Sequence, residues 1–174
     1  MTRLAYTPLM NGLPDNVIGS IVPQNVRDIV ESVSALRMIC TRAAASVATT
    51  ATYATFGGFI LSGTPSVGLS LTGGNTFTTT IPALYGLTYK FNLDNVTSAQ
   101  DFSLALFKGA TQIPFSDSII TITNGKSAHI SGSISADVIT PGTEGITFRI
   151  KSDANSSATI SGYVIFTSGP FVSP

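Results

Sequence analysis

From about Phe56 onward, apolar and polar residues alternate in short runs, broken by turn formers every eight to twelve positions. That spacing marks a β-sandwich or barrel. Val67, Leu69 and Leu71 point one way, with Gly68 and Ser70 between them. Tyr85, Leu87, Tyr89, Phe91 and Leu93 share a face against Gly86, Thr88, Lys90 and Asn92; Phe102, Leu104 and Leu106 repeat the pattern, as do Ile146, Phe148 and Ile150. Such alternation gives one buried and one wetter face, as in antiparallel sheets. Two hairpins are predicted. Asn124-Gly125 between Ile119–Thr123 and Lys126–Ile130 is the pair a type I′ turn requires, and Gly73-Gly74 joins Leu69–Leu71 to Phe77–Thr79. About eight to ten strands result, which suits a jelly roll. One run breaks the alternation: Ile160, Val164 and Phe166 occupy one face of a strand and Tyr163 and Ile165 the other. A strand apolar on both faces needs cover on both, and a neighbouring subunit or the folded-back N-terminal segment would supply the second.

Upstream the period changes. Val26, Ile29, Val30, Val33 and Leu36 recur at helical spacing after Pro23, which suits a first helical position. Residues 1–22 are irregular, with turn formers at Pro8, Asn11-Gly12 and Pro14 and scattered Leu4, Tyr6, Leu9 and Leu13. The expected organisation is an extended N-terminal arm over 1–22, an amphipathic helix over 23–42, an Ala/Thr-rich connector over 43–55 and a sandwich over 56–174. The fold class is mainly β: an antiparallel jelly-roll β-sandwich preceded by an arm and one short α-helix.

Composition sharpens this picture. Nine basic and nine acidic residues cancel, so nothing marks a nucleic-acid partner. Charged residues are 10% of the chain and mean hydropathy is +0.36, whereas soluble globular chains carry about 25% charge. No apolar run reaches the roughly 18 residues of a membrane span, so subunit contact is the expected place to hide apolar surface. The first ten residues lack the unbroken apolar core of a signal peptide, and expression in a cytoplasm is expected. Cys40, the single cysteine, excludes an intramolecular disulfide framework.

Catalytic chemistry is sparse. His129, the sole histidine, falls with Ser131 and Ser133 and reads as a solvated strand residue. No nucleophile-elbow motif accompanies the serines, and one histidine with one cysteine does not make a zinc site. Asp94, Asp101, Asp117, Asp137, Glu144 and Asp153 are scattered. Asp94 and Asp101 bracket one loop without a calcium motif, so turn-forming aspartates are the plainer reading. Gly57-Gly58 and Gly73-Gly74 lack phosphate-loop spacing. No enzyme activity and no cofactor are expected. Arg27, Arg37 and Arg42 are the one local basic bias; they form either a solvated helix face or, with Leu4, Tyr6, Leu9 and Leu13, a surface that docks the arm onto a carbonyl-rich or acidic partner.

Two segments carry a resemblance. Ser161-Gly-Tyr-Val-Ile-Phe166 with its Pro-containing tail resembles the closing strand of trimeric jelly rolls of the complement and tumour-necrosis-factor type, where that strand runs near the threefold axis. Residues 19–33, with Ile21-x-Pro23 leading into an Arg27-Asp28 pair, resemble an N-terminal element of phage head-fibre, decoration and tail proteins. Together they cover under half the chain. The resemblance implies a homotrimer on a virion surface: a capsid decoration (cement) protein bound to the major capsid protein of a phage through its arm, or alternatively the receptor-binding tip of a tail fibre reading host glycan or protein. The expected interface is Val26, Ile29, Val30, Val33 and Leu36 on the helix, with Tyr163 and Ile165 on the closing strand.

Overall fold

A computed structural model describes residues 36–65, 68–80, 83–94, 99–123, 125–139 and 144–168. The arm, the first part of the expected helix, and with them Leu4, Tyr6, Leu9, Leu13, Val26, Arg27, Ile29, Val30 and Val33 lie outside these residues.

The described residues form twelve strands: β1 (Leu36–Thr49), β2 (Ala54–Thr55), β3 (Phe59–Leu61), β4 (Leu69–Thr72), β5 (Thr76–Thr79), β6 (Ala83–Asp94), β7 (Gln100–Lys108), β8 (Thr111–Gln112), β9 (Ser118–Ile122), β10 (Ala128–Ile139), β11 (Ile146–Ser152) and β12 (Ser156–Ser168). They make two antiparallel sheets. The five-stranded sheet runs β10-β6-β12-β1-β3; the seven-stranded sheet runs β4-β5-β11-β7-β8, with β2 on β11 and β9 on β7. Among the described residues no helix is long and apolar enough to cross a membrane.

The expected jelly roll is therefore present, and its predicted inward faces are the observed ones. Tyr85, Leu87, Tyr89, Phe91 and Leu93 of β6 face Ile146, Phe148 and Ile150 of β11 across a core of buried side chains. Phe148 is its aromatic hub: Tyr89 and Phe91 each lie 5.1 Å from its ring centre, and Phe59 and Phe77 each 5.8 Å. Edge-to-face contacts of this kind add to the burial of the rings themselves.

Three expectations need correction. The stretch 36–42, expected as the end of a helix, is strand, and so is most of the expected connector: β1 spans Leu36–Thr49 and pairs with both β12 and β3. Met38 and Cys40 are buried while Arg37 is exposed and Ile39 and Thr41 half-buried, a period of two. A turn stands at the expected place, with Lys126 N–H donating to Thr123 O at 3.1 Å and Gly125 at φ +69°. It does not close a hairpin, because β9 pairs with β7 and β10 with β6. The turn carries the chain from one sheet to the other. The Gly73-Gly74 hairpin does join β4 to β5.

Candidate subunit interface

The outward side of the five-stranded sheet is read from its register. Ile60 of β3 pairs with Thr41 of β1, Thr41 with Tyr163 of β12, Tyr163 with Lys90 of β6, and Lys90 with Ser131 of β10. Two rungs along, Ile39, Ile165, Thr88 and Ser133 line up in the same way. Side chains of one rung and the second rung over lie on the same face. Ile39, Ile60, Tyr163 and Ile165 thus form an apolar patch toward the β3 edge. Ile60 is 61% exposed and Tyr163 39%. The outward positions of β1 and β12 are otherwise Thr, Ser and Ala, with Arg37 the one charged residue among them. Toward β10 the face turns polar: Thr88 and Ser133 hydroxyls lie 3.2 Å apart, and His129 Nδ1 lies 2.6 Å from Asn92 Oδ1.

β12 carries the two-faced pattern read from the sequence. Ile160, Val164 and Phe166 are fully buried, and Tyr163 and Ile165 lie on the outer side. Gly162 makes this register achievable. A Cβ there would run into the backbone carbonyl of Lys90 and into Phe91 at 2.7 Å, so only glycine lets β12 lie this close to β6.

Arg42, read from the sequence either as part of a solvated helix face or as a residue docking the arm, is instead part of the sandwich. It is 6% exposed and points inward opposite Gly162. The register of β1 shifts between Arg42 and Ala45, a β-bulge that turns carbonyls away from the ladder. The guanidinium collects them: Nε donates to Gly57 O at 2.7 Å, and one terminal nitrogen donates to the carbonyls of Ala45 (3.2 Å) and Ile160. Its carbon lies 5.7 Å from the Phe56 ring centre, within cation–π range. Burial lowers its pKa. Arg37 remains on the surface of β1, opposite Thr167, and Leu36 pairs with Ser168.

The remaining candidate groups separate. Cys40 is fully buried and its thiol is pushed up to about 11 by burial, which keeps it protonated and inert. Asp94 and Asp101 end on different sheets, β6 and β7. Asp101 accepts from Thr121 Oγ1 at 2.5 Å, and Asp153 Oδ1 accepts from the Asp101 N–H at 3.2 Å. Asp101 and Asp153, with Ser103, Ile119 and Lys151, line an open cleft of about 260 Å³ on the seven-stranded sheet.

Sequence reading did not single out Ile39, Ile60 or Phe115. The first two fell in a presumed helix and between turn residues, although Arg37, Ile39 and Thr41 alternate with Met38 and Cys40. Phe115 is 99% exposed and nothing in the apolar pattern announces it.

No protein-family model matches the chain, and no curated protein sequence matches it. Solved structures do. The Eiger TNF of S. frugiperda superposes with a TM-score of 0.56 at 6% identity, covering 80% of this chain and 94% of that one. The globular domain of zebrafish complement 1qA gives 0.54 at 10% identity, over 81% and 100%. The fold is that of the TNF and C1q jelly rolls. Vertex protein P5 of PRD1 superposes at 0.48 with 16% identity over 80% and 98%. In this TNF/C1q-like body the apolar patch sits where β12 and β1, the central pair of the five-stranded sheet's outer half, meet the β3 edge.

Proposed function

We propose that this chain is a non-enzymatic structural protein that associates with itself, as a trimer, through the outer face of its five-stranded sheet, and that it serves on a virion surface as a capsid decoration protein. The observation that carries the association is the patch of Ile39, Ile60, Tyr163 and Ile165 on a face whose β1 and β12 positions hold one charge. Apolar patches of this kind on a chain so poor in charge are best accounted for by burial against protein. The resemblance of the closing strand to trimeric jelly rolls supports three copies. Residues 19–33, with their Ile21-x-Pro23 and Arg27-Asp28, support the virion role and the arm as attachment, with three arms on one body raising effective concentration at the shell. A structural role is also supported by the placement of two reactive side chains: Cys40 is sealed in the core and His129 is bonded to an amide.

Light scattering on the purified full-length chain at micromolar concentration tests the association; a species of three times 18.0 kDa is expected, and an 18.0 kDa monomer overturns it. Immunogold labelling of purified virions tests the role. Gold over the head is expected; gold at the tail tip would make the chain an adhesin instead, and unlabelled particles would remove it from the virion.

A further inference from the structure

Phe115 occupies a conformation that its side chain disfavours. It is the one non-glycine residue at positive φ among the described residues (φ +57°) and is 99% exposed. Its turn runs Ile113-Pro114-Phe115-Ser116, with Ser116 N–H donating to Ile113 O at 3.3 Å. Proline second and a positive φ third define a type II turn, whose third position belongs to glycine or asparagine. A bulky aromatic there is strained.

The turn is clamped so that the strain persists. Ile113 N–H donates to Leu106 O at 2.9 Å. Ser116 is 3% exposed; its hydroxyl accepts from Leu106 N–H at 3.1 Å and donates to Leu106 O at 3.2 Å. The backbone that carries the ring is therefore fixed, and the ring stands out from the body as a knob whose docking costs only its own rotamer freedom.

The position of the knob selects its partner. Both β8 and β9 pair with β7, on the side away from β11, so the turn between them lies on that edge of the seven-stranded sheet. The β9–β10 turn puts the β10 edge on the same flank. The opposite flank holds β3 and the β4–β5 hairpin, where Phe59 N–H donates to Gly74 O at 2.9 Å. The exposed large apolar residues spread accordingly: Phe115 and Ile119 on one flank, Ile60 and Leu61 on the other, and Tyr163 between them on the central strand β12. A chain with one apolar knob and one apolar patch on opposite flanks is suited to join copies head to tail, and such contacts close into rings when the rotation permits. A lipid surface fits less well, since Gln112, Ile113, Pro114, Phe115, Ser116 and Asp117 offer no cation for anionic headgroups and one aromatic ring is a weak anchor.

We infer that Phe115 is the anchor by which one copy of this chain engages the Ile39–Ile60–Tyr163–Ile165 patch of the next, so that the interface is head to tail and not face to face. The inference rests on the self-association proposed above and specifies its geometry.

The test uses the full-length chain with Phe115→Gly and Phe115→Ser, and separately Ile165→Glu, followed by sedimentation. Glycine adopts φ +57° freely, so Phe115→Gly keeps the turn, and a retained circular dichroism spectrum separates lost association from lost folding. Each Phe115 variant is expected to weaken association by more than about tenfold, the scale of an aromatic hot spot. Mixing the Phe115→Ser and Ile165→Glu chains is expected to restore one contact, intact knob on intact patch, giving a heterodimer that cannot close. A wild-type monomer would sink both readings. A wild-type oligomer that Phe115→Gly and Phe115→Ser leave unchanged would overturn this inference alone, as would a mixture in which no heterodimer forms.

Discussion

A guanidinium inside a β-sandwich needs acceptors for its N–H groups, and the described acceptors of Arg42 are all backbone carbonyls: Gly57, Ala43, Ala45 and Ile160. Charged donors to buried carbonyls contribute about 1.5–3 kcal/mol each when the alternative is an orphaned acceptor. Arg42→Met is therefore expected to lower stability by about 2–4 kcal/mol, and Arg42→Lys to recover little of it, since one ammonium does not reproduce the fork. Urea midpoints of the three chains check this. Cys40 supplies a second expectation. Burial raises its pKa from 9.0 to about 11, and burial also raises Tyr89 and Tyr53 above 10.0, Asp117 adding to the effect on Tyr53. In each case the fold favours the neutral form, so the unfolded chain loses its protons first. Stability is fully present below pH 9 and is lost as pH rises toward 11. The urea midpoint should hold from pH 7 to 9 and fall by pH 10.5, and Cys40→Ala should blunt the first part of the fall.

β1 is the first strand of the described sandwich. A chain starting at Leu36 keeps the whole strand and should unfold cooperatively with a β-type circular dichroism spectrum. A chain starting at Ala43 loses Met38, Cys40 and Arg42. Losing a buried Met alone costs about 2–5 kcal/mol, and the three together approach the about 5–15 kcal/mol that holds a typical domain, so this shorter chain should not fold. That strand was also the least legible element. β6 and β11 announce themselves because every second residue is large and apolar. In β1 the inward series contains Arg42, the outward series contains Ile39, and small Ala and Thr residues follow, so the period of two is masked while the apolar spacing upstream favours 3.6. In β7 the inward Phe102, Leu104 and Leu106 were legible, but the outward series was not: Ser103, Ala105 and Phe107 are buried too, Phe107 beneath Arg149 and Tyr53 (4.1 and 5.4 Å). Asn124-Gly125 encodes a turn but not which strands it joins. Of the proposed interface, Tyr163 and Ile165 were legible from a strand apolar on both faces; Phe115 was not, since a positive φ at phenylalanine is imposed by Ser116 and Leu106 from outside.

At the scale of the whole molecule, few charges and no net charge leave apolar burial as the force available for assembly. Association driven this way is weakly screened by salt and strengthened by excluded salts such as sulfate. Between about 0.05 and 0.5 M NaCl the dissociation constant should change by less than about threefold, and ammonium sulfate should lower it; a steep loss with NaCl would point to ion pairs at the interface instead. The pairing of β1 with β12 bears on a different stage of the protein's life. Arg42 and Ile160 lie 118 residues apart, so on a ribosome adding about 5–20 residues per second the first strand waits roughly 6–24 s for its central neighbour. Throughout that interval the β12 side of β1 is an unpaired edge, and Arg37 and Arg42 are the charges the strand carries. The same guanidinium that later clamps the bulge thus guards the nascent strand against pairing with another copy too early.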